Sequence, residues 1–458
     1  MTGKWYHFIG IGGVGMSGLA HVLLDMGLHV SGSDLVLSPV IDGLRQRGAE
    51  IFIGHRADNI YDDIDAVVIS SAIRPSNIEL CTARHKGLPV MARGDLLAKV
   101  MDNYQGIAVT GAHGKTTTSA MIAVVLAKIG LEPTFLVGGH IPQLGGNAGL
   151  GKGRYLVAES DESDGSFLKQ RPYIAVITNI DDDHLDYYRD FSTIMQAFQE
   201  FLTKIRPDGI AVLCSDNINV RQLSTNGINA VTYGLQEGAQ YQARKIVQNG
   251  LMTEAEIVYQ GSYLGKLKLS VPGIYNVQNA LAAVAVGRHL GLEFSGIARA
   301  LAYYQNVHRR FQLIAQYDGI RIVDDYAHHP TEIKALMNAA IGIKQKRVIT
   351  VFQPHRYSRT KLLQEEFGKA FEGSDVVIVT DIYAAGETPL EGVSGEKVVQ
   401  ELLKNGINAL YINSLDNVVN LLLQRLCSGD TVLTVGAGDV WTVGRDLASK
   451  IEHCSQAN

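Results

Sequence analysis

Two glycine-rich turns, each placed between an apolar strand and a helix, constrain the fold of this chain more than any other feature. The first spans residues 10–15, after a strand that starts at Tyr6 and before a helix predicted to end near Gly27. The second spans 110–117, after a strand that starts at Gln105 and before a helix predicted to end near Gly130. Repeated strand-turn-helix units build parallel sheets, so we predict an α/β fold.

The β/α rhythm predicts three domains within the 458 residues. We place them at 1–104, 105–307 and 308–458, with Rossmann-like folds at both ends and a central nucleotide-binding domain with a mostly parallel sheet. Short alternating stretches between Ala211 and Ser270 interrupt this rhythm. They predict antiparallel strands that close the middle domain.

Charge and cysteine content exclude several classes of protein. The net charge is −5 and no long basic run occurs, which argues against nucleic acid or an anionic membrane as partner. No run reaches the ~18 apolar residues of a membrane span. The cysteines form no CxxC pair, which favours a reducing cytoplasm over a secreted disulfide framework; they are Cys81, Cys214, Cys427 and Cys454. We therefore expect small-molecule partners and no obligatory protein partner.

The first turn has the spacing of a dinucleotide-binding fingerprint. Gly10, Gly12 and Gly15 form G-x-G-x-x-G, and Asp34 stands at the end of the next strand. Glycines there let backbone N–H groups approach a diphosphate at the helix N-terminus. The pattern leaves open whether the diphosphate belongs to NAD, FAD or a nucleotide sugar, so an NAD(P)-dependent oxidoreductase is one alternative.

The second turn, T-G-A-H-G-K-T-T, is a variant P-loop. Val109 occupies the position where the usual pattern has its first glycine. Backbone donors and Lys115 can neutralise triphosphate oxygens, and the Thr116 hydroxyl can bind Mg²⁺. We therefore predict ATP or another nucleoside triphosphate as a ligand.

Acidic and imidazole groups follow two further strands of the middle domain. Glu159 closes one strand, and the other is followed by three aspartates, 181–183, and His184. The carboxyl ends of strands face the ligand crevice in an open α/β sheet, so these groups are expected near the P-loop. Carboxylates suit Mg²⁺, whereas histidine is an unusual ligand for so hard an ion.

Two clusters in the last third of the chain carry further chemistry. His328 and His329 precede Pro330, which suits the first turn of a helix, so either imidazole can serve an anionic ligand or act as acid or base. Arg356 and Arg359 follow an apolar strand and are three residues apart. Both can face one carboxylate or phosphate.

The order of these motifs resembles the Mur ligases, and within them the branch that adds the first amino acid. The motifs are GIGGVGMSG (10–18), TGAHGKTTT (110–118), AESDESD (158–164), DDHLD (182–186), NVQNA (276–280), HRRF (308–311) and DDYAHHPTE (324–332). The resemblance implies that ATP activates the lactyl carboxylate of UDP-N-acetylmuramate as an acyl phosphate, which the amine of L-alanine attacks. It thereby assigns the first glycine turn to a UDP-sugar.

The resemblance also implies roles for individual residues. UDP-sugar contacts are Gly10, Gly12, Gly13, Gly15, Met16, Ser17, Asp34, Ser70 and Ser71. ATP contacts are Gly111, Ala112, His113, Gly114, Lys115, Thr116, Thr117, Asn276, Asn279, Arg310 and Asp325. The amino acid meets Tyr326, His328, Arg356 and Arg359, and two Mg²⁺ ions meet Thr116, Glu159 and His184. The groups implied in catalysis are Lys115, Glu159, His184, His328, Arg356 and Arg359.

One departure and two alternatives accompany the resemblance. Sister ligases carry a carbamylated lysine where this chain has Gln199, and the alanine-adding branch also lacks that lysine. The recycling ligase, which attaches a ready-made tripeptide, has a segment like EPRSNT where this chain reads QPHRYSRT (353–360). A nucleotide-switched binding module without ligase chemistry is the other alternative.

Overall fold

The first glycine turn lies at the carboxyl edge of a five-stranded parallel sheet. The strands are β1 (Trp5–Ile9), β2 (His29–Asp34), β3 (Glu50–Ile53), β4 (Ala66–Ile69) and β5 (Val90–Ala92). The helices are α1 (Val14–Asp25), α2 (Pro39–Gln46), α3 (Ile78–His85) and α4 (Arg93–Met101). The strand order β3-β2-β1-β4-β5 is the Rossmann order without its last strand, in a computed structural model that describes residues 3–182 and 185–456.

Burial on both faces explains why β1 has no polar alternation. Phe8 and Ile9 are both fully buried, although successive side chains of a strand point to opposite faces. Helices cover both faces of such a sheet. Helix α1 buries Leu19 and Leu23 against this core and is followed by Gly27 at φ +77°, the left-handed conformation that ends a helix readily.

The P-loop belongs to a ten-stranded sheet. Its strands are β6 (Gln105–Thr110), β7 (Thr134–Ile141), β8 (Gly146–Gly149), β9 (Tyr155–Glu159), β10 (Ile174–Ile177), β11 (Ile210–Cys214), β12 (Ala230–Gly234), β13 (Tyr241–Asn249), β14 (Met252–Tyr259) and β15 (Ser262–Leu269). The helices are α5 (Lys115–Lys128), α6 (Leu185–Tyr188), α7 (Phe191–Thr203), α8 (Ile274–His289) and α9 (Phe294–Ala302). The order is β15-β14-β13-β12-β11-β10-β6-β9-β7-β8.

The prediction of antiparallel strands from residue 211 onward is wrong for the first part of that segment. Strand β11 pairs in parallel with β10 and β12, and β12 pairs in parallel with β13. The change to short connections comes later, between β13, β14 and β15, where two-residue links follow one another. Links this short join antiparallel neighbours, because a parallel crossover needs about a dozen residues.

The third sheet has six strands in the order β16-β17-β21-β18-β19-β20. They are β16 (Gln312–Tyr317), β17 (Ile320–Asp325), β18 (Val348–Phe352), β19 (Val376–Val379), β20 (Ala409–Tyr411) and β21 (Thr431–Val435). Its helices are α10 (Pro330–Ile341), α11 (Tyr357–Leu362), α12 (Gln364–Phe367), α13 (Gly395–Lys404), α14 (Leu415–Arg425) and α15 (Trp441–Gln456). Two details were not predicted: β16 is an antiparallel edge strand, and α11 begins at Tyr357, within the QPHRYSRT segment.

Two compact units emerge from the contacts. One comprises the chain up to Lys245 with Ala255–Leu267 and Gln278–Tyr304, and the other comprises Ile246–Glu254, Lys268–Val277 and Gln305 onward. The first unit holds the five-stranded sheet and the P-loop, and the second holds the six-stranded sheet. No helix within 3–182 and 185–456 has the length and hydropathy that crossing a bilayer demands.

Candidate active site

The P-loop is shaped by two glycines and by the end of the neighbouring strand β10. Gly111 has φ +129°, and a Cβ there would lie 2.3 Å from the Thr178 hydroxyl. Gly114 has φ +82° and directly precedes α5. The His113 N–H donates to the Asn179 side chain at 2.8 Å, and the Thr178 hydroxyl donates to the His113 carbonyl at 2.7 Å. Hydrogen bonds from residues outside the loop therefore fix its curved backbone, as phosphate binding requires.

Lys115 lies at the centre of this loop in a nearly buried ion pair. Its Nζ donates to the carbonyls of Gly111 and Ala112 at 2.7 and 3.3 Å, and to Oε1 of Glu162 at 2.8 Å. Burial lowers the pKa of Lys115, but the carboxylates of Glu162, Asp161 and Glu159 outweigh burial and raise it above the ordinary lysine value. The ammonium is thus a permanent cation.

Thr116 and Glu159 are hydrogen-bonded to each other beside the P-loop. The Thr116 hydroxyl donates to Oε2 of Glu159 at 2.8 Å, and the same oxygen accepts from the Gly138 N–H at 2.8 Å. A Cβ on Gly138 would lie 2.5 Å from that oxygen, so a larger residue there would displace the Glu159 carboxylate. A hydroxyl beside a carboxylate is a set of hard oxygen ligands, which fits Mg²⁺.

The acidic turn after β10 is only partly accounted for. Oδ2 of Asp181 lies 3.3 Å from Nε2 of His113 in the P-loop, as expected from the strand ends. Asp182 is exposed, in keeping with a solvated turn. The predicted metal contact His184 and its neighbour Asp183 lie outside the described residues.

The two asparagines predicted to contact adenine have different surroundings. Asn279 accepts from the Thr118 hydroxyl at 3.1 Å, and its Oδ1 would lie 2.8 Å from a Cβ on Gly114. It therefore lies against the P-loop. Asn276 is counted with the second unit, where its amide donates to the Pro272 carbonyl at 2.7 Å.

The first glycine turn is organised by the end of β2. The N–H groups of Gly10 and Ile11 donate to the Ser33 carbonyl at 2.8 and 3.0 Å. The Gly12 N–H donates to Oδ2 of Asp34 at 2.8 Å, and a Cβ on Gly12 would lie at the same distance from that oxygen. A side chain at position 12 would therefore displace the Asp34 carboxylate from this hydrogen bond.

Other predicted UDP-sugar contacts differ in what they present. Ser70 lies beside the turn, 3.9 Å from where a Cβ on Gly10 would be, whereas Ser71 is exposed. The side chains of Met16 and Ser17 are buried within α1. These two residues can offer only backbone groups to a ligand.

Two groups near these turns were missed by sequence reasoning. Arg93 lies against Gly15, and Nη2 of its guanidinium is 3.6 Å from Oδ2 of Asp161. Glu162 is the partner of Lys115. The available signals were that Arg93 directly follows strand β5 and that Glu162 belongs to the acidic run after β9.

In the second unit, Asp325 is held at the end of β17 by backbone donors. It accepts from the N–H groups of Phe311 at 2.6 Å and Ala327 at 2.7 Å. Burial raises its pKa to about 6, although Arg310 and these hydrogen bonds act in the opposite direction. The guanidinium of Arg310 lies over the Tyr326 ring, 5.4 Å from its centroid. Asp325, Tyr326 and Arg310 thus lie close together at the end of β17.

The adjacent residues His328 and His329 make different contacts. The His329 ring caps helix α10 by accepting from the Thr331 N–H. His328 directs Nδ1 toward the Tyr326 carbonyl at 3.1 Å and lies 3.5 Å from Glu332. Burial lowers the pKa of His328 to about 4, with Arg359 and Arg310 acting in the same direction and Glu332 against them. His328 is therefore a neutral imidazole among charged groups.

The two arginines flank His355 at the start of α11. Arg356 has φ +69° and caps the helix, and Nη1 of Arg359 lies 3.4 Å from Nδ1 of His355. The His355 and His328 rings are 5.9 Å apart. Burial lowers the pKa of His355 to about 3, aided by His328 and both arginines. A neutral imidazole pair beside guanidinium groups suits a carboxylate or phosphate ligand.

Three family profiles together match most of the chain. Residues 5–105 match the profile described as Mur ligase family, catalytic domain, residues 109–287 the Mur ligase middle domain, and residues 309–438 the Mur ligase, glutamate ligase domain. The chain belongs to the Mur ligase family. This membership argues against the oxidoreductase alternative, because the first glycine turn is part of a Mur ligase.

Relatives of this Mur ligase match it from end to end. The UDP-N-acetylmuramate–L-alanine ligase of Desulforamulus reducens is 50% identical over 453 residues, 98% of each chain. The ligase of the same name from Pelotomaculum thermopropionicum is 51% identical over 449 residues, 97% of each chain. The crystal structure of the UDP-N-acetylmuramate-alanine ligase of Thermotoga maritima superposes with a TM-score of 0.85 at 31% identity, covering 98% and 99% of the two chains. The predicted three-domain α/β fold is thereby confirmed.

A murein peptide ligase from Psychrobacter arcticus shares the fold at greater distance. Its TM-score is 0.72 at 23% identity, with 98% of both chains covered. Identity this low carries the fold alone and assigns no substrate.

Proposed function

We propose that this Mur ligase joins L-alanine to the lactyl carboxylate of UDP-N-acetylmuramate, with ATP converted to ADP and phosphate. The observation that carries the proposal is sequence identity. This chain is 50–51% identical to relatives whose names state that activity, over 97–98% of both chains. The reaction is the first peptide-forming step of peptidoglycan precursor synthesis. We place it in the cytoplasm, where ATP is available, and expect it to need no second protein.

The proposed chemistry activates a poor electrophile. A lactyl carboxylate oxygen attacks the γ-phosphorus of ATP, the bond to the β-phosphate oxygen breaks, and ADP leaves. The alanine amine then attacks the acyl-phosphate carbonyl, loses a proton, and the C–O bond to phosphate breaks. Two anions must approach each other in the first step, so the site has to place cations around them.

Residues of the P-loop supply the proposed positive charge. Lys115 exchanges Glu162 for the β- and γ-phosphate oxygens, and the backbone donors around Gly111 and Gly114 surround the triphosphate. Thr116 and Glu159 hold Mg²⁺, which offsets phosphate charge when it is bound. His184 is proposed at a second ion, and Asn279 lies where it can meet the nucleotide.

The second unit is proposed to receive the amino acid and part of the nucleotide. Arg356 and Arg359 are the groups suited to the alanine carboxylate, because a guanidinium binds carboxylate through two parallel hydrogen bonds. Tyr326 bounds a pocket for the methyl group, and His328 is neutral at pH 7, as accepting a proton from the amine requires. Asp325 and Arg310 are assigned to the ribose and phosphates of ATP.

Phosphate release from ATP tests this proposal. The purified chain is given ATP and Mg²⁺ alone, or together with UDP-N-acetylmuramate and no acceptor, L-alanine, or the tripeptide L-Ala-γ-D-Glu-meso-diaminopimelate. We expect release only with L-alanine and a product one alanine heavier by mass spectrometry, and no turnover in Lys115→Met. Release with the tripeptide alone would assign the protein to recycling, and release without any carboxylate substrate would indicate a nucleotide switch.

A further inference from the structure

Arg93 lies where the first glycine turn meets its helix. It is the first residue of α4, directly after β5, and therefore at the carboxyl edge that also carries Gly10 and Asp34. A Cβ on Gly15 would lie 3.0 Å from Cδ and 3.1 Å from Nη1 of Arg93. A Cβ at position 15 would therefore fit only if the Arg93 side chain moved by a few tenths of an ångström.

The backbone of Arg93 is fixed, so its side chain alone is left to adjust. Asp95 accepts from the Ala92 N–H at 2.9 Å and thereby caps α4. A Cβ on Gly94 would lie 2.3 Å from Cβ of Ser166, so the start of α4 packs closely on the middle domain within the same unit. Because the backbone at this position is fixed, the guanidinium is pre-organised for a ligand.

The partner of Arg93 holds it weakly. Nη2 of Arg93 is 3.6 Å from Oδ2 of Asp161, and both side chains are partly exposed, at 21% and 37%. Burial raises the pKa of Asp161, but Lys115, hydrogen bonds from Ser163 and Arg93 outweigh burial and lower it. Asp161 is therefore an anion that Arg93 shares with Lys115, and exposed ion pairs of this kind contribute little to stability.

We propose that Arg93 is a substrate-binding residue that exchanges Asp161 for the diphosphate of the nucleotide sugar at the first glycine turn. The assignment rests on the proposed function, which places a UDP-sugar there. A diphosphate presents paired oxygens that match the two-pronged guanidinium, and charge-assisted bonds of this kind are stronger than the long contact with Asp161. No other chain segment has to move, because the guanidinium already lies against Gly15.

Calorimetric titration without ATP tests the assignment. The ligands are UDP-N-acetylmuramate and UDP-N-acetylglucosamine, which share the diphosphate, although only the first has the lactyl carboxylate. The proteins are the natural chain, Arg93→Gln, Arg93→Lys, and Arg84→Gln as a control on an exposed arginine of α3. We expect Arg93→Gln to weaken both ligands by the same factor of about 10 to 100, Arg93→Lys to weaken them less, and Arg84→Gln to leave them unchanged.

The outcomes separate the two proposals. Binding of both ligands to Arg93→Gln with unchanged affinity overturns the role of Arg93, while the proposed function stands. Loss confined to UDP-N-acetylmuramate overturns the diphosphate assignment in favour of the lactyl carboxylate. If the natural chain binds neither ligand, the proposed function itself is wrong. Circular dichroism verifies folding, and Arg93→Lys decides the matter if Arg93→Gln does not fold.

Discussion

The burial of the ion pair between Lys115 and Glu162, and not its N–O distance, should decide how much it stabilises the middle domain. The two side chains are 13% and 4% exposed, and the Nζ to Oε1 distance is 2.8 Å. We predict that Lys115→Met strongly destabilises the nucleotide-free protein. The reason is that it leaves a carboxylate buried without its cation.

The magnitude follows from the geometry. At 2.8 Å and an effective dielectric constant of about 20, the attraction is about 6 kcal/mol. Desolvation of both charges cancels part of this attraction, and removal of one partner from a buried pair costs about 3–5 kcal/mol. We therefore expect Lys115→Met to cost about 4 kcal/mol. In the double variant that also carries Glu162→Gln, the loss of unfolding free energy should be about 3 kcal/mol smaller than the sum of the losses in the two single variants.

The control is an ion pair with a similar N–O distance whose side chains are more exposed. Nζ of Lys169 lies 2.6 Å from Oδ1 of Asp95, but the side chains are 48% and 33% exposed. A cycle of Lys169→Met and Asp95→Asn should give a coupling energy below about 1 kcal/mol. Hydrogen exchange of the α5 amides in increasing urea measures both cycles, since it follows the unfolding that exposes this helix. Equal coupling energies in the two cycles would refute the reasoning.

Three further perturbations test other parts of the molecule. Glu79 is fully buried and accepts from Asn59 at 2.5 Å beside His55 at 3.0 Å, so Glu79→Ala should lower stability by about 3 kcal/mol; an unchanged melting temperature contradicts this. The pKa of His328 is lowered to about 4 in the folded protein, so on acidification this histidine is protonated first in the unfolded chain. The stability that the neutral His328 contributes, about 3 kcal/mol, is therefore lost as the pH falls from about 6.5 to 4. His328→Gln should flatten that part of the urea-stability curve against pH, and a curve of unchanged slope counts against the assignment. Arg359→Ala should raise the KM for L-alanine at least about tenfold and leave that for ATP unchanged; a natural KM for alanine sinks this role.

Local signals succeeded where a short segment determines its own conformation. Gly111 and Gly114 adopt positive φ in the loop that their spacing predicts, and Gly130, also at positive φ, follows α5 as expected. Positive φ is costly for other residues and nearly free for glycine, so the requirement is written in the segment itself. The apolar runs of β6 and β9 likewise identify buried strands without reference to their neighbours.

Pairings between distant segments could not be predicted in this way. The misjudged direction of β11 and β12 depends on which strands become neighbours, and an apolar strand reads alike in parallel and antiparallel surroundings. Arg93 and Glu162 acquire their meaning only beside Gly15 and Lys115, and nothing within either segment specifies these partners.

By itself, the sequence determined the class of the fold and the place of both glycine-rich turns, because backbone conformation and hydrophobic runs are properties of neighbouring residues. The tertiary structure decided which charges meet: Lys115 with Glu162, Thr116 with Glu159, and Arg93 with Asp161. The physical reason is that the energy of a charge depends on burial and on its nearest partner. Both are set by strand order, which joins segments far apart in the chain.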